Sequence, residues 1–360
     1  IENNWIHDTK AGEGMYIGYT FPTKLITPCS LQVESHRSRR IIIRNNLVER
    51  TGADGIQVSQ CESGLEIYKN IIRNYGKDPF QQFQNSGISL GALNKGKVHD
   101  NLIDGKATIG TNGGNGISII GSEHLQVYNN IIVNAGEKGM FINAQESKYP
   151  NLGGDGLLIA HNVISVTRGR VDDAIQTRNV RSNTLVYNNV LITAGTYVNK
   201  YTTNVLLTQA NNRQARNFSG LGFQDTLTFN FRINNGSVLR SAGLGLMAVL
   251  LDVDSVPRPG AGPDIGISQY VEPPVPNVPP VVSAIAAVNN QGQTGSPAGT
   301  FYQNNLPIIL SATTSDADGL ISVTDWTKVA GGNVAMVKIG ASCTLSALQP
   351  GTYTFAVTAT

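Results

Sequence analysis

Short phrases in which apolar and polar residues alternate recur along the first half of the chain. Each phrase has two apolar residues separated by one other residue, then a turn with an asparagine, then more apolar residues. An alternation with a period of two predicts β-strands rather than helices. The first two asparagines are 42 residues apart (46 − 4), and later spacings run from 24 (70 − 46) to 32 (162 − 130), so the variation belongs to loops. The aligned asparagines are Asn4, Asn46, Asn70, Asn101, Asn130, Asn162 and Asn189.

A second short apolar phrase, introduced by glycine, lies between successive asparagines. Several short strands, one polar turn and loops of variable length in each repeat predict a right-handed parallel β-helix, whose coils stack about 4.8 Å apart. An asparagine amide both donates and accepts hydrogen bonds, so we expect the seven asparagines to form an inward ladder that pairs with the turn backbone. The second phrase begins at Gly14, Gly55, Gly87, Gly116 and Gly139, with Ala174 as its sixth copy.

The chain opens inside such a repeat, at Ile1, which predicts an uncovered strand edge there. We therefore expect the rod to continue into further amino-terminal rungs of a longer chain.

Residues 230–270 contain a run of short motifs rich in glycine, proline and aspartate. The motifs are Gly236-Ser237, Ala242-Gly243, Asp252-x-Asp254, Arg258-Pro259 and Pro263-Asp264-Ile265-Gly266. They resemble the terminal segment of secreted bacterial β-helix proteins of the pectate-lyase-like superfamily, which implies a coil that covers the last rung. We expect Asp252 and Asp254 to cap a turn, with calcium binding as the alternative.

Five prolines between residues 272 and 280 favour an extended, stiff linker. Beyond it, short alternating segments predict a β-sandwich. Ser315-Asp316-Ala317-Asp318-Gly319, Trp326 and Gly351-Thr352-Tyr353-Thr354-Phe355 resemble PKD-type immunoglobulin-like domains. The predicted protein is therefore all-β, with a right-handed parallel β-helix over 1–271, a linker over 272–280 and a small PKD-like sandwich over 281–360.

Composition excludes several classes of protein. Lys and Arg number 27 and Asp and Glu 25, for a net charge of +2, and no basic run is present, which argues against nucleic acid as a partner. The apolar stretches are far shorter than the roughly 20 residues that cross a bilayer, which argues against a membrane span. The three cysteines are far apart, without a zinc-binding pattern, although Cys29 and Cys61 can pair if one rung separates them. The resemblance to secreted β-helix proteins implies a secreted or cell-surface location.

Two sets of residues are candidates for chemistry. Tyr68, His99, Tyr128 and Tyr187 stand two positions before ladder asparagines and point outward, where they can contact a sugar. The alternative is that these rings only stabilise the sheet across strands.

The second set lies in the loops before the glycine-led strands. Asp54 and Asp173 are candidates for general acid or base, and Lys138 and Arg168 for neutralising a uronate carboxylate. The alternative is a solvated rim of loop charges. The sequence predicts no cofactor, with calcium as the alternative, and no metal site.

Two functions fit these features. The first is a carbohydrate-interacting protein, a lyase or hydrolase of acidic polysaccharides or of a cell-surface glycan. The second is a non-catalytic structural or adhesin-like surface protein, or a fragment of exported cargo. The sequence leaves enzymatic activity undecided, because no pair of carboxylates lies on the outward stripe of the glycine-led strands.

Overall fold

The computed structural model describes residues 1–19, 25–26, 32–33, 36–79, 81, 84–105, 114–143, 155–166, 173–180, 184–202, 206–273, 278–294, 301, 306–317, 320–321 and 324–360. These residues form two compact units, Ile1–Glu272 and Pro273–Thr360. All regular elements in this described part are β-strands.

Three parallel sheets build the first unit, as a right-handed β-helix requires. We number each rung by its ladder asparagine, from Asn4 in rung 1. Sheet A, which precedes the asparagines, contains β6 (Ile42–Arg44), β10 (Leu65–Tyr68), β13 (Gly96–His99), β16 (Leu125–Tyr128), β19 (Leu158–Ala160), β22 (Thr184–Tyr187) and β25 (Leu207–Ala210). Sheet B, which follows them, contains β1 (Trp5–His7), β7 (Leu47–Glu49), β11 (Ile71–Arg73), β14 (Leu102–Asp104), β17 (Ile131–Val133), β20 (Val163–Val166), β23 (Val190–Thr193) and β26 (Arg213–Ala215). Sheet C, formed by the glycine-led strands, contains β2 (Met15–Ile17), β8 (Ile56–Val58), β12 (Ile88–Leu90), β15 (Ile117–Ile120), β18 (Met140–Asn143), β21 (Ile175–Arg178) and β24 (Val198–Lys200).

Three smaller sheets join the rod. They pair β3 (Leu25–Ile26) with β4 (Gln32–Val33), β5 (Ser38–Arg39) with β9 (Cys61–Ser63), and β27 (Phe223–Asp225) with β28 (Asn230–Ile233). Cys61 is a buried free thiol, and Cys29, its predicted partner, lies outside the described residues.

Inward side chains of the three sheets form one aliphatic core along the rod. Ile67, Ile72 and Ile88, one from each sheet of rung 3, have no exposed surface. The glycine before each of the first five strands of sheet C is required by close approach: a Cβ on Gly116 would lie 2.2 Å from Ile132 Cγ2. The period-two phrases therefore place the apolar side chains inside, as the sequence predicts.

The asparagine ladder is continuous. In each rung the side-chain Nδ2 donates to Oδ1 of the next asparagine at 2.9–3.0 Å. Nδ2 also donates to the carbonyl two residues earlier, and the backbone N–H donates to the next Oδ1, for example from Asn101 to Asn130. Asn46, Asn70, Asn101, Asn130, Asn162 and Asn189 are all at most 2% exposed, so the inward assignment is confirmed.

The structure adds an eighth ladder residue, Asn212, which the sequence pattern missed. Asn189 donates to its Oδ1 from both the backbone N–H and Nδ2. The apolar phrase fails there because Gln209 stands in register with the inward Val186, and Gln214 with Leu191. Exposed polar residues at these positions thus mark the last described rung of the rod.

One residue before each ladder asparagine, a corner residue turns the chain from sheet A to sheet B. All eight corner residues have φ between 50° and 58°, the left-handed region that asparagine tolerates better than most residues. The corner residues are Asn3, Asn45, Lys69, Asp100, Asn129, His161, Asn188 and Asn211.

Residues 239–270, the closing segment, lie along this corner. The sequence predicts that they cover the last rung, whereas the observed contacts run back along the side of the rod to rung 5. Asn211 Nδ2 donates to Ala242 O at 2.9 Å, and Asn188 Nδ2 donates to Leu244 O at 2.7 Å while its Oδ1 accepts the Leu244 N–H at 2.8 Å. Corner side chains thus bind the peptide backbone of the closing segment.

Apolar contacts and a buried arginine complete this interface. Ile265 and Ile267 share a core with Val163 and Val190 on the outer face of sheet B. Arg258, 8% exposed, donates to Gly266 O at 2.9 Å and, from the same Nη2, to the corner residue of rung 5 at 3.0 Å. The segment is therefore an integral lateral layer of the rod.

Asp252 caps a turn within the closing segment, as the sequence predicts. Its Oδ1 accepts the backbone N–H groups of Asp254 and Val256, both at 2.8 Å, and its Oδ2 accepts that of Gln269 at 2.6 Å. The Asp254 carboxylate pairs with Arg232.

His161 is a neutral corner residue beneath the closing segment. Its Nε2 lies 3.0 Å from Asn188 Nδ2 and its Nδ1 lies 3.3 Å from Gly266 O, so the neutral ring accepts at Nε2 and donates at Nδ1. Burial, reinforced by the charge of Arg258, lowers the pKa of His161 to about 3. Protonation at Nε2 would place an N–H against the N–H of Asn188 Nδ2 and add a second cation beside Arg258.

The His161→Asn variant, which adopts the residue of the neighbouring corners, should resist acid better than the wild type. Because unfolding frees His161 to bind a proton, its contribution to stability is present above pH 6.5 and is lost as the pH falls toward 3. At pH 5 this loss amounts to about 2 kcal/mol. We expect the difference in unfolding free energy between variant and wild type to shift by that amount between pH 8 and pH 5, as measured by denaturant titration; a difference independent of pH would contradict it.

The second unit is an antiparallel sandwich. One sheet has the order β29 (Val281–Asn289), β30 (Ile308–Ser315), β33 (Ser342–Ser346) and β32 (Ala335–Ile339), and the other pairs β31 (Thr324–Ala330) with β34 (Thr354–Ala359). Trp326 has no exposed surface and packs with Ile308, Leu310 and Leu345. It therefore fills the core, as expected.

Candidate functional site

The outward aromatic row of sheet A is a stack of parallel rings. Tyr68 and His99 have ring centroids 5.0 Å apart with 2° between the ring planes, and His99 and Tyr128 follow at 4.8 Å and 3°. Register explains this geometry, because residues two positions before consecutive ladder asparagines pair directly across β10, β13 and β16.

The ring faces inside this stack pack against each other. Tyr187 is separated from the stack by Ala160, which packs against Val249 of the closing segment. Burial raises the pKa of Tyr128 to about 12. The predicted set therefore divides into a three-ring stack and a separate tyrosine. Within the stack, mainly the ring edges are open to a sugar.

Asp54, a predicted acid or base, is buried rather than part of a solvated rim. It is 1% exposed, and its Oδ1 accepts the Ser86 N–H at 2.6 Å. Burial raises the pKa of Asp54 to about 7, the charge of Glu13 acts in the same direction, and hydrogen bonds from Ser86 and Ser89 oppose the rise. A pocket of about 350 Å³ lies beside Glu13, lined also by Ala11, Gly12, Gln81 and Gln84.

The predicted catalytic residues do not come together in one site. Asp54 precedes the strand of rung 2 and Asp173 that of rung 6, so four rung spacings of about 4.8 Å place them roughly 19 Å apart. Two carboxylates that act on one glycosidic bond stand within about 10 Å of each other. Lys138 belongs to rung 5 and pairs with Glu137 at 3.0 Å, and Arg168 lies outside the described residues.

Sheet C instead combines two cations and two aromatic rings at rungs 5 to 7. Phe141 has Lys138 Nζ at 5.8 Å and the Arg178 guanidinium carbon at 5.4 Å from its ring centroid. The same guanidinium lies 3.9 Å from the ring centroid of Tyr201, which is 60% exposed. We call Lys138, Phe141, Arg178 and Tyr201 the cation-aromatic cluster.

A buried carboxylate orients the polar groups beneath this cluster. Asp173, 2% exposed, accepts hydrogen bonds at Oδ2 from Gln176 Nε2 at 2.6 Å and Asn199 Nδ2 at 2.8 Å. Gln176 Oε1 in turn accepts from Arg178 Nε at 3.3 Å. Asp173 is therefore placed to hold the amide and guanidinium groups rather than to meet a ligand directly.

Phe141 and Gln176 lie on the outward stripe of the glycine-led strands, whereas the sequence pattern does not single out Arg178 or Tyr201. Arg178 is two positions beyond Gln176 on the same strand, and this spacing was the available signal. Among the described residues, no group of three or more histidines, cysteines or acidic residues could hold a metal ion. No helix in the part of the chain that is described is long and apolar enough to cross a membrane.

Family models match both units. Residues 29–191 match the right-handed β-helix region, and residues 303–360 match a PKD domain family. The chain therefore has the fold of a right-handed β-helix followed by a PKD-like domain. Such domains are typical of extracellular proteins.

No curated protein matches this β-helix protein. A solved structure titled "The complex structure of XylC with xylose" is similar at 14% sequence identity, with a TM-score of 0.36. The match covers 76% of this chain and 41% of that one, so this chain spans less than half the length of the solved protein.

Proposed function

We propose that this protein binds an acidic polysaccharide at rungs 5 to 7 of sheet C, with the cation-aromatic cluster as its subsite. The observation that carries the proposal is the placement of Lys138 and Arg178 beside the ring of Phe141, at 5.8 and 5.4 Å from its centroid. A uronate offers the complementary groups: a carboxylate for the cations and an apolar ring face for the aromatic side chains.

The next outward positions of sheet C are largely closed to a ligand. Toward the amino-terminal rungs they hold Ser118, Ser89 and Gln57, in direct register. Ser118 is 2% and Gln57 5% exposed, and Ser118 Oγ is hydrogen-bonded to Ser86 and Asn115. The proposed contact with a glycan is therefore confined to the cluster at rungs 5 to 7.

Binding is the function that the geometry favours over lyase or hydrolase activity, because Asp54 and Asp173 are four rungs apart. The glycan would be an extracellular or cell-surface one, since we propose that the protein is secreted. The alternative is a structural or adhesin-like protein, in which the charged and aromatic side chains of sheet C only support the rod.

Replacing Arg178 with glutamine should weaken binding of an oligogalacturonate about tenfold, because the carboxylate loses a charge-assisted hydrogen bond worth about 1.4 kcal/mol. Calorimetric titration with oligogalacturonate and with a neutral galactose oligomer of equal length measures this effect. The wild type should prefer the acidic oligomer, and the preference should decline with added salt.

Lys97→Gln is the matched control, since Lys97 is an exposed outward cation on sheet A. Equal loss of affinity in both variants would indicate a general charge effect and contradict the subsite. If the wild type binds neither oligomer, the carbohydrate proposal is wrong and the structural alternative is favoured. Parallel assays for new reducing ends and for unsaturated uronates show whether binding leads to cleavage.

A further inference from the structure

Among the described residues, nothing covers the corner in rungs 1 to 4 as the closing segment covers it in the later rungs. In rungs 5 to 8, every corner side chain contacts the closing segment. In rungs 2 and 3, Asn45 and Lys69 are exposed, and their side chains make no hydrogen bond within the described part of the chain. The corner backbone nevertheless has the same left-handed conformation throughout.

The apolar row beside this corner is continuous as well. The first outward position of sheet B is occupied by Val163 and Val190 in rungs 6 and 7, where both are fully buried and Gly266 passes over them. In the first four rungs the same position holds larger apolar side chains. Trp5 is 62% exposed, and the others are half-buried: Leu47, Ile71 and Leu102.

At the junction between the two halves, one oxygen of the Asp100 carboxylate has no hydrogen bond within the described residues. Asp100, the corner residue of rung 4, accepts from His99 Nδ1 through Oδ2 at 2.8 Å, while its Oδ1 is buried without a hydrogen bond. In the next rung, Asn129 Oδ1 accepts from Arg258. A donor from an occupant of the uncovered half would pair with Asp100 in the same way.

We propose that this uncovered seam, formed by Asn45, Lys69 and Asp100 with Trp5, Leu47, Ile71 and Leu102, binds an extended polypeptide segment of a partner protein. The argument is continuity with the interface that the closing segment already occupies. A corner asparagine offers one donor and one acceptor, as Asn188 does to both backbone groups of Leu244, and this pair matches a peptide unit.

The seam also specifies the chemistry of its partner. The apolar row selects aliphatic side chains, as Ile265 and Ile267 show in rungs 6 and 7. Asp100 selects a basic residue at the rung-4 end, and Lys69 an acidic one a rung away. A glycan satisfies the corner groups but leaves the apolar row uncovered, so the favoured ligand is a peptide. The proposal is independent of the glycan site, which lies on sheet C.

The test uses the intact protein and a synthetic peptide with the sequence of residues 258–268, which contains the arginine and both isoleucines of the closing segment. Trp5 is the reporter, because the other tryptophan, Trp326, is fully buried. Saturable blue-shifted emission of Trp5 is expected, and Ile71→Asp should weaken the apparent affinity at least tenfold. Ile42→Asp, the same change at a 44% exposed outward position of sheet A, should leave it unchanged.

Three results would overturn the proposal. The first is the absence of a saturable change in the wild type, or one that a scrambled peptide reproduces. The second is equal binding by the Ile71→Asp and wild-type proteins when both melt at the same temperature. The third is self-association of the wild type in sedimentation, abolished by Ile71→Asp and without peptide binding, which would identify a second copy as the occupant.

Discussion

Replacement of Asn130 by leucine is expected to lower the free energy of unfolding by about 4 kcal/mol. Asn130 is fully buried, and its Nδ2 donates to Val98 O, to Tyr128 O and to the Oδ1 of the next ladder residue. Its Oδ1 accepts two further hydrogen bonds from Asn101. Leucine removes all of them and leaves buried carbonyl and N–H groups unpaired.

Asn4→Leu is the matched control for this experiment, because the same substitution there affects an exposed side chain at the end of the ladder. Water can replace the lost hydrogen bonds, so we expect less than half the destabilisation in denaturant titrations. Equal effects at the two positions would contradict the importance of burial for the ladder.

Replacement of Asp54 by asparagine is expected to stabilise the protein by about 4 kcal/mol at pH 8 and to have little effect at pH 4. Burial raises the pKa of the folded carboxyl from its ordinary 3.8 to about 7. Folded Asp54 thus retains its proton where the unfolded residue releases it, so its contribution to stability is present below about pH 4 and is lost as the pH rises through 7. The amide keeps the acceptor for the Ser86 N–H and cannot ionise.

The control is Asp8→Asn. Asp8 is exposed, and its hydrogen bond with Arg50 lowers the pKa of its carboxyl, so removal of this charge should not stabilise the protein at pH 8. Melting temperatures of both variants between pH 4 and pH 8 distinguish the two cases. A gain for Asp54→Asn that is constant across this range would show that ionisation of Asp54 is not its cause.

The repeated asparagines allowed most of the rod to be predicted. Their fixed distance from flanking apolar residues determines the register of sheets A and B, and the glycine-led phrases identify sheet C. The course of the closing segment was not predictable in this way. It depends on contacts between Arg258 and Asn129, which are 129 residues apart and belong to no shared repeat.

The candidate site was harder to predict than the fold. Loop charges such as Asp54 and Asp173 resemble an exposed rim in the sequence, but both carboxylates are at most 2% exposed and are hydrogen-bonded within the protein. Burial of a turn residue depends on the loops of adjacent coils, whose lengths the repeat does not constrain. The cation-aromatic cluster, which combines three rungs, likewise appears only after the strands are in register.

The asparagine ladder gives the rod a dipole along its axis. From Asn4 to Asn189, each Nδ2 donates to the Oδ1 of the asparagine in the rung of higher number, so the side-chain amides align head to tail, and their dipoles add as peptide dipoles do in a helix. Among the described residues, the Oδ1 of Asn4 accepts no hydrogen bond at one terminus, and at the other Asn212 Nδ2 donates to Val186 O and to no later asparagine. A further coil can therefore extend the column only in one polarity, with its donors facing Asn4 or its acceptors facing Asn212.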